Sequence, residues 1–315
     1  MELVSFILGL IGIWFGAHLA VDQALIIADR LKISKLFVGL TVLSIGTSLP
    51  EIFTHIIASL NELKGIATSN IAIGTNIGSN IFQITFIIGI LGLMSVIKSS
   101  KSIQKRDGLV MLSSIVIVYL FGQNGIISRL EGAILLGLYL IYLAYLYKTE
   151  KELKHKYIPL TNRMNMSHHI GLLLSGIFVL SLSANIVVSG ALKFSESLGI
   201  EQSFFGLLII GVATGLPEFT TALMGIMKKA KEISLGVLIG SNITNPMMGI
   251  GIGAIIVDNP ISKTIINFDI PFWFVSSAVL LLLFQRDHKL NKNGAILMLV
   301  TYLGYLIYKV NSVMI

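Results

Sequence analysis

Two short stretches carry the residue types that could hold a metal cation. They are Gly46-Thr47-Ser48-Leu49-Pro50-Glu51 and Ala213-Thr214-Gly215-Leu216-Pro217-Glu218. A proline inside a helix takes away one hydrogen bond and clashes with the carbonyl one turn back. That frees backbone carbonyls, and in a membrane such a break is tolerated only where it lines a cavity or lies within protein. A freed carbonyl, the hydroxyl of Thr47 or Thr214 and the carboxylate of Glu51 or Glu218 are all hard oxygen ligands within one turn. Calcium takes about six to eight of these, and sodium accepts the same donors. A charged carboxylate at mid-bilayer costs at least ~2.5 kcal/mol. Two facing carboxylates also repel, and a divalent cation relieves both penalties. The plainer alternative is a protonated glutamate bonded across helices, but intramembrane acids are functional by default.

A second pair runs Gly74-Thr75-Asn76-Ile77-Gly78-Ser79-Asn80-Ile81-Phe82-Gln83 and Gly236-Val237-Leu238-Ile239-Gly240-Ser241-Asn242-Ile243-Thr244-Asn245. Glycines four apart let helices approach closely, which by itself signals packing. Ser79 and Ser241 would add hydroxyl ligands, and Gln83 and Asn245, one turn further on, would face the same cavity. Asn80 and Asn242 read equally well as ties between helices. His55 lies four residues after Glu51 but has Ala222 as its counterpart, so it reads as packing. His18 has no evident partner. Trp14 and Trp273 read as interfacial or lipid-facing aromatics.

These stretches must be held by an apolar scaffold. Of the 315 residues, 54% are hydrophobic and 12% charged, with a mean hydropathy of +0.86. Soluble domains carry about 25% charged residues, so the main solvent here is lipid. The net charge of +7 sits in short connectors without an aromatic-rich basic face, which argues against a nucleic-acid partner. With no cysteine in the chain, disulfides and thiolate chemistry are excluded. The Met1-Glu2-Leu3 start lacks a positive n-region, so the first apolar run reads as a retained helix.

Apolar runs long enough to span fall near 3–28, 35–60, 69–97, 108–123, 129–147, 169–192, 203–227, 233–257, 271–285 and 294–310. With the N-terminus outside, 18 of the 23 Lys and Arg fall in inner connectors. That bias fits the positive-inside rule with both termini outside. The 148–168 connector divides the chain into a first five-helix repeat, 1–147, and a second, 169–315. The two halves match: Thr47, Leu49, Pro50, Glu51 and Thr54 align with Thr214, Leu216, Pro217, Glu218 and Thr221, and Gly74, Gly78, Ser79 and Asn80 with Gly236, Gly240, Ser241 and Asn242. A repeat with an odd number of helices inserts its second copy upside down, the architecture of secondary transporters. The fold expected is an all-α membrane protein, with ten transmembrane helices as two inverted repeats.

In these motifs the chain resembles the calcium/cation antiporter superfamily, specifically its sodium/calcium exchanger branch. The branch's alpha repeats look like 39–83 and 206–245. The resemblance implies exchange of Na+ for Ca2+, with a central site on helices 2, 3, 7 and 8 across which helices 1 and 6 slide. It makes Glu51 and Glu218 the calcium-binding glutamates, with Thr47 and Thr214 beside them. Ser48, Ser79 and Ser241 resemble sodium ligands, and the carbonyls of Ser44 and Gly211 stand where outer sodium sites use backbone oxygens. Departures fall around this pair: Gly215 supplies no hydroxyl, Thr75 and Val237 replace the usual Asn, Gln83 replaces an Asn, and Asn245 stands where some members have Asp, as in potassium-independent members.

No prosthetic group is expected. The partners expected are the two ions and the lipid bilayer, with the chain acting as a monomer in the cell membrane. Proton-for-calcium exchange by the same fold is the alternative. An intramembrane protease is disfavoured, because no His-Glu-x-x-His helix exists and His18 and His55 have no counterparts in the second half. Paired acids on an inverted two-fold also favour a carrier over a channel.

Overall fold

A computed structural model describes residues 2–151, 165–197 and 212–314. It is almost entirely helical, with helices at all ten positions expected from the apolar runs. They are α1 (Glu2–Leu31), α2 (Lys35–Thr47 and Leu49–Glu62), α3 (Ser69–Met94), α4 (103–122), α5 (Arg129–Lys151), α6 (Met166–Ser197), α7 (described from 212, with Leu216–Met227 after its break), α8 (Lys231–Ile256), α9 (265–287) and α10 (Lys292–Met314). Seven of these are individually long and apolar enough to cross a membrane, and the two parts of α2, bent by 44° at Ser48, form an eighth span.

The fourth and ninth helices begin earlier than their apolar runs suggest. Both open with a π-helical turn, Ile103–Asp107 and Ile265–Asp269. The charged residues there look like connector, yet Asp107 and Asp269 are buried. Tyr142 of α5 donates to Asp107 at 3.0 Å, and Tyr305 of α10 donates to Asp269 at 3.0 Å. Arg106 and Lys309 supply the balancing charges at 2.8 and 2.7 Å. A buried carboxylate is tolerable when paired and hydrogen-bonded in this way.

Four two-residue strands show the inverted symmetry most directly. β1 (Ile97–Lys98) follows α3, β2 (Ile126–Ile127) follows α4, β3 (Asn259–Pro260) follows α8 and β4 (Lys289–Leu290) follows α9. β1 pairs antiparallel with β4, and β2 with β3. Each ladder therefore joins one half to the other. Each also joins connectors that ten alternating spans place on the same side of the membrane.

The main core lies where α3, α8 and α9 meet α4, α5 and α10, around Ile73, Ile77, Leu238 and Ile243. A second cluster joins α1 and α6 to each other and to Val38 and Leu43 of α2, Met224 of α7 and Ile233 and Val237 of α8, with alanines of α1 (Ala17, Ala20, Ala24 and Ala28) gathered with Leu180, Ala184 and Val187 of α6. An added Cβ at Gly16 would stand 2.6 Å from the Leu180 nitrogen, and one at Gly176 2.8 Å from the Ala20 nitrogen. Only glycine permits so close a backbone approach.

Candidate functional site

Both proline motifs break their helices at equivalent points. Ser48 (φ −82°, ψ 0°) and Gly215 (φ −80°, ψ −2°) hold near-identical conformations just before Leu49-Pro50 and Leu216-Pro217. Each glutamate follows in the first turn of the new segment, where the unsatisfied N–H groups favour a carboxylate. Pro50 and Pro217 have no N–H for the carbonyls of Gly46 and Ala213, four residues back.

The folded chain brings the two glutamates together in its interior, Glu51 at 2% exposure and Glu218 at 0%. Their partners cross between halves. Ser48 of α2 donates to Oε1 of Glu218 at 3.3 Å, and Ser241 of α8 reaches the same oxygen at 3.5 Å. Ser79 of α3 donates to Oε1 of Glu51 at 3.2 Å. Thr214 stands against Glu51, and Thr47 against Glu218. The second oxygen, Oε2, of each carboxylate is buried with no hydrogen-bond partner among the described residues. An uncompensated buried carboxylate oxygen is costly, and two of them in one site made of hydroxyls and carboxylates suit a hard cation. A narrow cleft lined by Glu51, Thr54, Ala72, Thr75, Asn76 and Thr214 reaches the first of the two glutamates.

The remaining sequence candidates divide. Gln83 joins through Ser79, donating to its Oγ at 3.3 Å. Asn245 sits one turn beyond Ser241 and donates to Oδ1 of Asn80 at 2.8 Å, with its own Oδ1 buried and unpartnered among the described residues. The carbonyl of Ser44 accepts from the Ser48 N–H at 3.0 Å and the Thr47 hydroxyl at 3.3 Å, and its hydroxyl folds back onto the Leu40 carbonyl. Ser44 thus makes no hydrogen bond to either glutamate. Gly211 lies outside the described residues. Asn242 proves to be a tie between helices, donating to Gln83 at 3.0 Å.

Two isolated residues come out differently from their sequence reading. Trp273 is fully buried, not lipid-facing, and donates its indole N–H to Oδ1 of Asn242 at 2.8 Å. His18 does have partners: it lies 3.3 Å from Asp22, which also pairs with Lys228 of the α7–α8 turn at 2.6 Å. Trp14 is exposed as expected, and His55 is buried against Gly249 and Gly253.

A family model described as sodium/calcium exchanger protein matches residues 1–148 and 168–311, both halves of the chain. The chain belongs to this family. Such proteins are transporters, and this exchanger is not an enzyme. Among its relatives is the sodium/calcium exchanger MaX1 of Methanosarcina acetivorans, 28% identical over 359 residues covering 98% of this chain and 99% of that one. Another is the inner membrane protein YrbG of Escherichia coli, 29% identical over 289 residues, covering 89% and 87%. In structure it is similar to the sodium-calcium exchanger NCX_Mj, with a TM-score of 0.83, 29% identity and 97% of each chain covered. The exchanger fold, with ten helices in two inverted repeats, thus accounts for the whole described chain.

Proposed function

We propose that this chain exchanges Na+ for Ca2+ across the cell membrane by alternating access, binding both ions at the Glu51–Glu218 pair. The observation that carries the reading is the pair itself. Two buried carboxylates, one from each inverted half, each take hydroxyl contacts from the opposite half and keep one oxygen without a hydrogen-bond partner among the described residues. Thr47, Thr214, Ser48, Ser79 and Ser241 complete the oxygen shell, and Asn245 offers an amide oxygen beside it. Two carboxylates balance one Ca2+ or a group of Na+ ions, and overlapping ligands keep the two from being held at once. Moving the pair across empty would leave two uncompensated charges in the membrane, so one ion must replace the other.

The α1–α6 pair is the moving part in this reading. It has its own small-residue seam, distinct from the main core. In this reading both termini lie outside, which the placement of Lys and Arg supports, and the chain acts as a monomer. The deciding measurement is Ca2+ uptake into sodium-loaded proteoliposomes by the wild type, Glu51→Gln and Glu218→Gln. Uptake driven by the sodium gradient and lost in both variants is expected. Unchanged uptake in the variants refutes the site, and uptake that follows a pH gradient and ignores sodium points to proton exchange.

A further inference from the structure

Gln83 and Asn245 occupy corresponding places in the two halves, yet their surroundings differ. In the first case a chain of donors runs inward from α9. The Trp273 indole N–H donates to Oδ1 of Asn242 at 2.8 Å. Nδ2 of Asn242 donates to Oε1 of Gln83 at 3.0 Å and to the Leu238 carbonyl at 2.9 Å. Nε2 of Gln83 donates to Ser79 at 3.3 Å, and Ser79 donates to Glu51 at 3.2 Å. An indole N–H can only donate and a backbone carbonyl can only accept. The Asn242 amide is therefore fixed from both of its ends, and its nitrogen in turn fixes the Gln83 oxygen away from the ion site.

The other half lacks this device. At the same offset that aligns Ser79 with Ser241, the residue matching Trp273 is Met111, which is buried and has no polar hydrogen to give. There Asn245 donates to Asn80 at 2.8 Å, while Nδ2 of Asn80 and Oδ1 of Asn245 have no partners among the described residues. Turning both amides over would restore one hydrogen bond between the same two residues, so this pair is not held in one polarity.

We propose that Trp273 is a positioning residue that locks Gln83 as a hydrogen-bond donor to Ser79, whose hydroxyl in turn donates to Glu51, so that Gln83 does not coordinate the transported cation and Asn245 is the only one of the two amides able to do so. An N–H group turned toward a cation repels it, and with Gln83 fixed that way the site loses one oxygen on the first-half side. A group of sodium ions spreads over more of the neutral oxygens around the glutamates than a single calcium does, so sodium feels this loss more than calcium. The inference rests on Glu51 and Glu218 forming the ion site.

The test compares half-saturating sodium and calcium concentrations for exchange in proteoliposomes. Trp273→Phe keeps an aromatic ring and removes the donor. Gln83 can then turn its oxygen inward, and the ratio of sodium to calcium half-saturation shifts in favour of sodium by about two- to tenfold, the range set by one neutral hydrogen bond. The shift is expected to vanish when Trp273→Phe is made in a Gln83→Met background. Gln83→Met alone moves both half-saturations by the same factor, because its effect passes through Glu51. A purely structural role for Trp273 would lower exchange without changing the ratio, and that result overturns the proposal. So does a shift that persists without Gln83. If Trp273→Phe does not fold, Gln83→Met still decides: selective weakening of sodium would make Gln83 a ligand. Glu51→Gln measured alongside tells the two readings apart, since wild-type exchange in that variant removes the ion site itself.

Discussion

Gly240→Ala tests how the close crossing of α2 and α8 supports the ion site. A Cβ at Gly240 would lie 2.7 Å from both Cβ and Oγ of Ser44 and 2.8 Å from the Leu40 carbonyl. Ordinary contact begins at 3.4 Å, so the helices must separate by at least about 0.7 Å, the difference of those two distances. Little can yield locally. One turn earlier the backbones already touch, since a Cβ at Gly236 would stand 3.0 Å from the Gly39 Cα. Forcing a methyl into such packing costs about 1–3 kcal/mol. The displaced segment of α2 also carries Thr47 and Ser48, which touch the Glu218 carboxylate. In catalytic sites a misplacement of about 1 Å can cost 10²-fold, and exchange is expected to fall by at least about tenfold here. The assay is sodium-driven Ca2+ uptake in proteoliposomes, with thermal unfolding of the purified protein measured in parallel. Gly304→Ala on α10 is the control, because no described atom lies within 4 Å of its added Cβ. If Gly240→Ala melts and transports like Gly304→Ala, the crossing does not position the site.

Tyr305→Phe removes the hydroxyl that reaches Asp269. A hydrogen bond to a charged group contributes about 1.5–3 kcal/mol, so the melting temperature should fall by several degrees, and Tyr142→Phe should match it in the other half. Lys228→Ala breaks the partly exposed pair with Asp22, worth about 0–1 kcal/mol, and should leave thermal unfolding nearly unchanged at any salt concentration. Both ring nitrogens of His55 are buried without partners among the described residues. Replacing an unsatisfied polar group by an apolar one is close to neutral or stabilising, so His55→Leu is expected to fold and to exchange calcium as the wild type does. Loss of uptake in His55→Leu would show that the imidazole serves the site.

The glutamates and the repeat were legible because polar residues in an apolar chain stand out, and because the second copy repeats them. Thr47, Thr214, Ser79 and Ser241 stand out for the same reason, whereas Ser48, whose counterpart is Gly215, is a candidate only through the family resemblance. Trp273 was not. Its character depends on Asn242 in α8, and an aromatic within an apolar run looks the same whether it faces lipid or donates to a buried amide. Asp107 and Asp269 look like connector in the sequence, since the tyrosines that make their burial possible come from helices α5 and α10, more than thirty residues later in the chain. The spacing of the glycines was visible, but not which of them a neighbour presses upon. Gly240 is crowded by Ser44, whereas no described atom lies within 4 Å of an added Cβ at its counterpart Gly78.

The exchanged strands bear on how the chain is made. When the first five helices have left the ribosome, Ile97–Lys98 and Ile126–Ile127 still await partners that have not been synthesised. Assembly therefore cannot finish half by half, although domains generally mature in order of synthesis. The first half must remain open on both faces of the bilayer until β3 and then β4 arrive. Two halves expressed as separate polypeptides would carry complementary unpaired edges, and each would act as the template on which the other closes.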